Sequence, residues 1–285
     1  SSLGDIVHSM VVLQFIKKYY PESVIDWVVE KRFKDILENN PHINQIHTIN
    51  LNKVKRDKSL ILLFTEVSKV RKFGQYDIVI DLQGLIKSAI ITKYISSRKK
   101  VGFDKNSIRE RLSSYFYNQK VTIGYDKNTI VRYVKLISEA LSINITNDDI
   151  INKDLYLFSK SKLLIPQTPY IVFVIGSTWQ SRNYPKEKFI QVAQAIKKSC
   201  IVIWGNEKEK EKAEWMSSES NYIQVMPKLS LDDLKHVIDH ASLLIGNDTG
   251  PSHMSWALNI PSIILFGPTP IERAFQTPIN TVLSS

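Results

Sequence analysis

Residues 243–267 read LLIGNDTGPSHMSWALNIPSIILFG. An apolar run stops at Asn247, polar or turn-forming residues follow as far as His253, and a helical pattern then leads into a second apolar run. Short apolar runs joined by helical segments are the mark of strands buried on both faces of a parallel sheet. In such a sheet a ligand sits off the carboxyl ends of the strands, at loops that open helices. The loop 247–253 is one of these. Gly250 lets backbone approach closely, Pro251 suits a first turn where no donor is needed, and clustered N–H groups at a helix start suit phosphate oxygens. A plain helix cap by Asp248 or Thr249 would also fit the stretch. A cap needs one polar residue, however, not a run ending in His253.

The same alternation surrounds this stretch. YIVFVIG, CIVIWG, YIQVM, LLIGN and PSIILFG read as strands, and PKEKFIQVAQAIKKS, EKEKAEWMSS and SLDDLKHVIDHA as the helices between them. The first half behaves alike. IVHSMVVLQFIKKYY, RFKDILENN, SLILLFTEVSKVRKF, QGLIKSAIITKYI and NTIVRYVKLISEALSI carry helical spacing, while SVIDWVVE, INQIHTIN, YDIVIDL and KKVGF read as strands. Regularity fades between residues 147 and 169, where Pro166 and Pro169 punctuate the chain. This predicts two α/β domains in series, residues 1–160 and 166–285, each built on a parallel sheet, with a cleft between them.

Charge divides along the same line. Residues 1–165 hold 27 Lys+Arg against 17 Asp+Glu, and residues 166–285 hold 11 against 11. The whole net charge of +10 therefore sits in the first half, which predicts an anionic partner there. The basic clusters are Lys53, Lys55, Arg56 and Lys58, and then Arg98, Lys99, Lys100, Lys105, Arg109 and Arg111. Aromatic residues follow the buried pattern instead of interleaving with these lysines, which argues against nucleic acid. A single cysteine, Cys200, excludes an internal disulfide and suits a reducing cytoplasm. No run of uncharged apolar residues is long enough to span a membrane.

Three further loops carry candidate chemistry. VIGSTWQSRNYP places Ser177 and Thr178 after a strand, with Arg182 close by and shaped for a bidentate grip on phosphate. SSLGDIVH puts Asp5 at a helix mouth, where it is either a cap or a general base. DLQGLIKS offers Asp81, Gln83 and Lys87 off another strand end. Metal-binding Cys/His spacing, a GxxxxGK[ST] loop, a GxGxxG fingerprint and a metal-holding Asp-x-Asp pair are all missing, so the sequence predicts no cofactor and no metal.

SSLGDIVHSM, YDIVIDLQGLIKSA, MPKLSLDDL and NDTGPSHMSWALNIPSIILFGPT together resemble the bacterial ADP-heptose:lipopolysaccharide heptosyltransferases, glycosyltransferase family 9, from residue 1 to about 270. The SSLGDIVH and QGLIKSA forms are most similar to the branch, heptosyltransferase I, that adds the first heptose to Kdo. The resemblance implies a GT-B fold: two Rossmann-like domains with parallel sheets facing a central cleft, the second holding the nucleotide sugar. It implies an inverting transfer of heptose from ADP-heptose to Kdo2-lipid A, in the cytoplasm and peripheral at the inner face of the inner membrane. By the same resemblance Asp248, Thr249 and Gly250 cradle the pyrophosphate with His253 facing it. Ser177 and Thr178 match a hydroxyl pair near the phosphates, Glu209 a grip on the ribose, and Leu229 a border of the adenine. Arg182 stands where the family commonly has Lys; with Asp5 it forms the catalytic pair. Lys87, Arg109 and Arg132 match basic positions facing the sugar acid, and Arg56 joins them as an acceptor contact. A first strand before residue 1 and a C-terminal segment whose helix crosses back to the first domain are also implied. A later heptosyltransferase, another GT-B transferase, or a non-catalytic nucleotide or sugar binder are the alternatives.

Overall fold

The computed structural model describes residues 2–177, 183–267, 271 and 274–284, with Lys55, Leu60 and Leu63 described by their backbone alone. The chain forms two compact units. One comprises residues 9–34 and 41–153, the other residues 2–8, 35–40 and 154–284. Segments 2–8 and 35–40, which the sequence reading assigns to the first domain, thus pack with the second unit.

The first unit begins with α2 (Val12–Tyr19), which follows α1 (Leu3–Met10) after a break at Val11; the sequence reading had one continuous helix there. Strands β1 (Asp26–Glu30) and β2 (Gln45–Ile49) pair in parallel. Strands β3 (Gln75–Ile80), β4 (Ser96–Phe103) and β5 (Gln119–Val121) form a second parallel sheet. Tyr76 Oη on β3 donates to Asp26 Oδ2 on β1 at 2.6 Å, and His47 Nε2 on β2 lies 3.3 Å from the same oxygen. A polar side-chain link therefore joins the two sheets. Around them lie α4 (Leu51–Asp57), α5 (Leu60–Val70), α6 (Ile86–Tyr94), α7 (Thr129–Leu141) and α8 (Asn147–Ile151). Ile49, Val70, Ile91 and Ile95 form part of the core. A 3-10 helix at Arg111–Phe116 and strand β5 occupy what the sequence presents as a basic loop.

The second unit holds a six-stranded parallel sheet in the order β11-β10-β9-β6-β7-β8. Its strands are β6 (Ile171–Val174), β7 (Cys200–Ile203), β8 (Ile223–Val225), β9 (Leu243–Asn247), β10 (Ser262–Phe266) and β11 (Asn280–Ser284). The continuous apolar runs of β6 and β7 are explained by burial of every residue in both strands. Helices α9 (Lys186–Ile196), α10 (Glu207–Glu219), α11 (Leu231–Asp239) and α12 (Gly250–Ala257) make the crossovers. Phe173, Phe189, Val202 and Met216 belong to one core cluster with Cys200, whose thiol burial pushes up to about 11. Short α3 (Lys34–Leu37) is anchored on this unit through residues 35–40. The fully buried Lys235 donates to Asp35 O at 3.0 Å and Glu38 O at 3.1 Å, and pairs with Asp232 at 2.8 Å.

Candidate functional site

In the second unit the strand order runs one way from β6 through β7 to β8, and the other way from β9 through β10 to β11. The reversal between β6 and β9 is the switch point where open α/β sheets bind ligands. The two loops singled out from the sequence, after Val174 and after Asn247, leave the sheet at that point. The strands approach closely because Gly246 faces Val174. A Cβ on Gly246 would stand 2.5 Å from the Val174 Cβ and 2.9 Å from Ser252 Oγ.

The start of α12 decides between a cap and a ligand site. Thr249 is the N-cap residue of this helix, and its side chain makes no cap hydrogen bond. The Asp248 carboxylate before it meets His253 Nε2 at 3.0 Å. The Thr249 hydroxyl is buried and has no hydrogen-bond partner among the described residues. An uncapped helix start concentrates donors and the positive end of the helix dipole, and an orphaned buried hydroxyl costs about 1–3 kcal/mol unless something bonds it. Both point to an anionic ligand with oxygen acceptors.

Asn247 fixes the frame around this start. Fully buried, it donates from Nδ2 to Ile175 O at 2.8 Å and accepts from Tyr184 N at 2.9 Å. It thus ties down the described residues on both sides of 178–182. Ser252 Oγ closes the loop by donating to Asn247 O at 2.6 Å. The sequence reading gave Asn247 no role, although it lies inside the quoted loop. Its pairing requirement emerges only once β6 is known to neighbour β9.

Glu209 sits in the first turn of α10, off the end of β7. Its oxygens accept from Gly205 N and Asn206 Nδ2, both at 2.7 Å. A Cβ on Gly176 would stand 2.3 Å from this carboxyl group, so a larger residue there would displace the Glu209 carboxylate. The bonds aim a carboxylate across the end of β6 and leave lone pairs for hydroxyl donors. Leu229 is half-buried in the segment after β8, where Met226 O accepts from Trp204 Nε1 at 2.7 Å. Ser177 is half-buried after β6. Thr178 and Arg182 lie outside the described residues.

Helix α1 joins this site. Gly4 and Gly250 face each other's helices: a Cβ on Gly250 would stand 2.7 Å from Leu3 Cβ, and one on Gly4 3.1 Å from His253 Cδ2. Two helix starts therefore meet with only hydrogens between them. Asp5, the next residue, is exposed and forms a reciprocal capping box with Ser2: Oδ2 accepts from Ser2 N at 2.9 Å, and Asp5 N donates to Ser2 Oγ at 3.2 Å. One turn on, the buried His8 ring lies 4.3 Å from that of His253 and edge-on to Trp256. Burial, and then the neighbouring His253, hold the His8 pKa well below its usual value. The sequence reading passed over His8, whose only signal is its i+3 spacing from Asp5.

The acceptor candidates lie in the first unit. Lys87 is half-buried in the first turn of α6, and Arg109 is exposed in the loop before the 3-10 helix. Arg56 is exposed on α4 and bonds its neighbour Asp57 at 2.8 Å. Asp81 shapes the Lys87 loop. Buried, with its carboxyl pushed up by desolvation, it accepts from Tyr117 Oη at 2.7 Å, Gln83 N at 2.9 Å and Gly84 N at 3.1 Å. Arg132 is buried, donates to Ser107 O at 2.6 Å and Gly124 O at 3.3 Å, and lies over the Phe103 and Tyr125 rings. These bonds to backbone carbonyls brace the 103–125 segment.

A parallel sheet with a helix start at its switch point, a buried hydroxyl and a carboxylate over the next strand end define an α/β domain whose loops suit a phosphate-bearing ligand. The sequence matches Glycosyltransferase family 9 (heptosyltransferase) over residues 67–282, and the chain belongs to that family. It is 39% identical to lipopolysaccharide heptosyltransferase 1 of Campylobacter coli, covering 100% of this chain and 87% of that protein. Identity to lipopolysaccharide heptosyltransferase 1 of Pseudomonas aeruginosa is 30%, over 94% of this chain and 77% of that one. The fold matches Escherichia coli heptosyltransferase WaaC with ADP at a TM-score of 0.87 and 25% identity, covering 100% of this chain and 91% of that one. The same enzyme with ADP-2-deoxy-2-fluoro heptose matches at 0.84, with 25% identity over 99% and 90% of the two chains. This α/β fold is thus that of the GT-B heptosyltransferases, and the chain is a glycosyltransferase.

Proposed function

We propose that this chain transfers heptose from ADP-heptose to the Kdo of Kdo2-lipid A, with inversion, in the making of the lipopolysaccharide inner core. The observation that supports the donor half is the start of α12, where the N-cap residue Thr249 makes no cap bond and its buried hydroxyl is left for a ligand oxygen. The pyrophosphate lies there across Thr249 and Gly250 with Ser177 after β6, and Thr178 and Arg182 contribute to holding it. Glu209 takes the ribose hydroxyls and Leu229 borders the adenine. Heptosyltransferase 1 relatives at 39% and 30% identity support the sugar and the acceptor.

In the reaction a Kdo hydroxyl oxygen bonds to the anomeric carbon as the bond from that carbon to the phosphate oxygen breaks. The hydroxyl proton passes to the Asp5 carboxylate and ADP leaves on the opposite face. One displacement turns a β-linked donor into an α-linked product. Arg182 and the α12 start stabilise the charge that gathers on the leaving diphosphate. Lys87, Arg109 and Arg56 meet the acceptor's carboxylates and phosphates, which places the enzyme peripherally at the inner face of the inner membrane. The test is incubation with ADP-heptose and Kdo2-lipid A, read by mass. A gain of one heptose is expected. No gain on this acceptor, with a gain on one already carrying heptose, would replace the reading with that of a later heptosyltransferase.

A further inference from the structure

Among the exposed large apolar side chains of the first unit, two pairs lie in cation-rich stretches of the chain. On α5, Ile61 and Phe64 are 79% and 72% exposed and share one face at i, i+3 spacing. In the 3-10 helix, Leu112 and Tyr115 are 63% and 75% exposed, again three residues apart. Exposed apolar pairs of this size are uncommon on a surface that faces only water. Helix α5 packs on α4 and on α6, and the 3-10 helix packs on α6, so the two elements that bear these pairs share one neighbouring helix.

The cations are as concentrated. Residues 50–72 carry seven Lys+Arg against two Asp+Glu, and residues 105–120 carry four against one. Lys53, Lys58, Arg111 and Lys120 are exposed, and the Lys120 ammonium lies over the Tyr115 ring at 5.9 Å from its centroid. Apolar tips interleaved with long-stemmed cations match the layering of a bilayer surface. Hydrocarbon takes the tips while ammonium and guanidinium groups remain at the headgroup phosphates. No described helix is long and apolar enough to cross a membrane, so this contact would be peripheral.

We propose that the α4–α5 pair and the 3-10 helix at Arg111–Phe116 form a surface that docks on an anionic lipid bilayer, inserting Ile61, Phe64, Leu112 and Tyr115. It goes beyond the proposed transfer reaction, because the docking requires no acceptor in the bilayer.

The test is co-sedimentation of the whole chain with vesicles of phosphatidylethanolamine and phosphatidylglycerol, and with vesicles of phosphatidylcholine alone. Binding to the first and at least tenfold weaker binding to the second are expected. Ile61→Ser with Phe64→Ser should lower partition onto the anionic vesicles at least tenfold. Lys53→Glu with Lys58→Glu should do likewise and lose most of the salt sensitivity. Both pairs are exposed, so melting temperature and ADP affinity should stay at wild-type values. The Ile61/Phe64 variant should turn over a deacylated soluble acceptor normally while slowing on acceptor held in vesicles. Equal partition of wild type and the Ile61/Phe64 variant would overturn the inference. So would an Ile61/Phe64 variant that dissociates a dimer in light scattering without changing vesicle binding, which would assign the face to a second copy. Vesicle binding with no transfer to either acceptor would leave the docking surface standing and remove the reaction.

Discussion

The candidate sites of the two units are built in different ways. In the second unit the site is framed by backbone: a helix start whose N-cap residue Thr249 makes no cap bond, glycines at 246 and 250 where a Cβ would stand under 3.0 Å from its neighbours, and Asn247 bonded on both flanks. In the first unit the candidates are long cations, of which Arg56 and Arg109 are exposed. A pyrophosphate presents the same few oxygens each time, and fixed donors meet it at little entropic cost. A large, charged, lipid-anchored acceptor suits a field of mobile cations better than a mould. Residue identity is therefore stringent in one unit and charge is what counts in the other.

The largest effect that would break this contrast falls on Asp5. Asp5→Asn keeps an oxygen for the bond from Ser2 but removes the base, so kcat should fall by roughly 10²–10⁴ with the melting temperature nearly unchanged. A modest loss of stability with near-normal turnover would show that the capping box is all that Asp5 provides. Next comes Arg182→Ala. By analogy with a lost oxyanion donor it should cost about 2.7–4 kcal/mol of transition-state stabilisation, while Arg182→Lys keeps much of the activity. Wild-type turnover of the alanine variant would take the arginine away from the leaving group.

Charge reversal at Lys87 or Arg109 sharpens the contrast more gently. The acceptor KM should rise about tenfold and the donor KM much less; equal rises would mean that the two units do not divide the substrates. Thr249→Val is the smallest change and the most specific. No cap bond is lost, since Thr249 makes none, and a buried orphan hydroxyl is removed. The unliganded protein should gain about 1 kcal/mol while ADP binding weakens by a similar amount. Opposite signs in a melting curve with and without ADP are the readout, and a loss in both would contradict the assignment of that hydroxyl.

Much of this was legible in the sequence, and what was not had physical causes. The strands around 171–174, 200–203 and 243–247 showed as continuous apolar runs because burial on both faces leaves no room for polar residues. That β6 neighbours β9 could not be read, since strand order depends on pairings far apart in the chain. The competition for the Asp248 carboxylate was invisible too: a helix start and an imidazole five residues on are equal claimants until the ring position is known. The bracing bonds of Arg132 were hidden because only the folded 103–125 segment brings carbonyls at 107 and 124 to its guanidinium. The basic stretch at 51–57 hid a helix because its side chains are hydrophilic on most sides.

The buried ring of His8 couples the crossing of α1 and α12 to the acidity of its surroundings. Its folded pKa lies well below the ordinary 6.5, because burial and His253 disfavour the charged form. Above about pH 6.5 both folded and unfolded chains leave it neutral and it contributes no slope. As pH falls below that value the unfolded chain gains a proton that the folded one refuses, and stability drops by up to about 1.4 kcal/mol per pH unit. His8→Phe should flatten that part of a stability–pH curve, and an unchanged slope would show that the acid sensitivity resides elsewhere. A packed histidine at the meeting of two helix starts thus gives this fold an acid limit, set where the helix bearing Asp5 crosses the one that opens after Thr249.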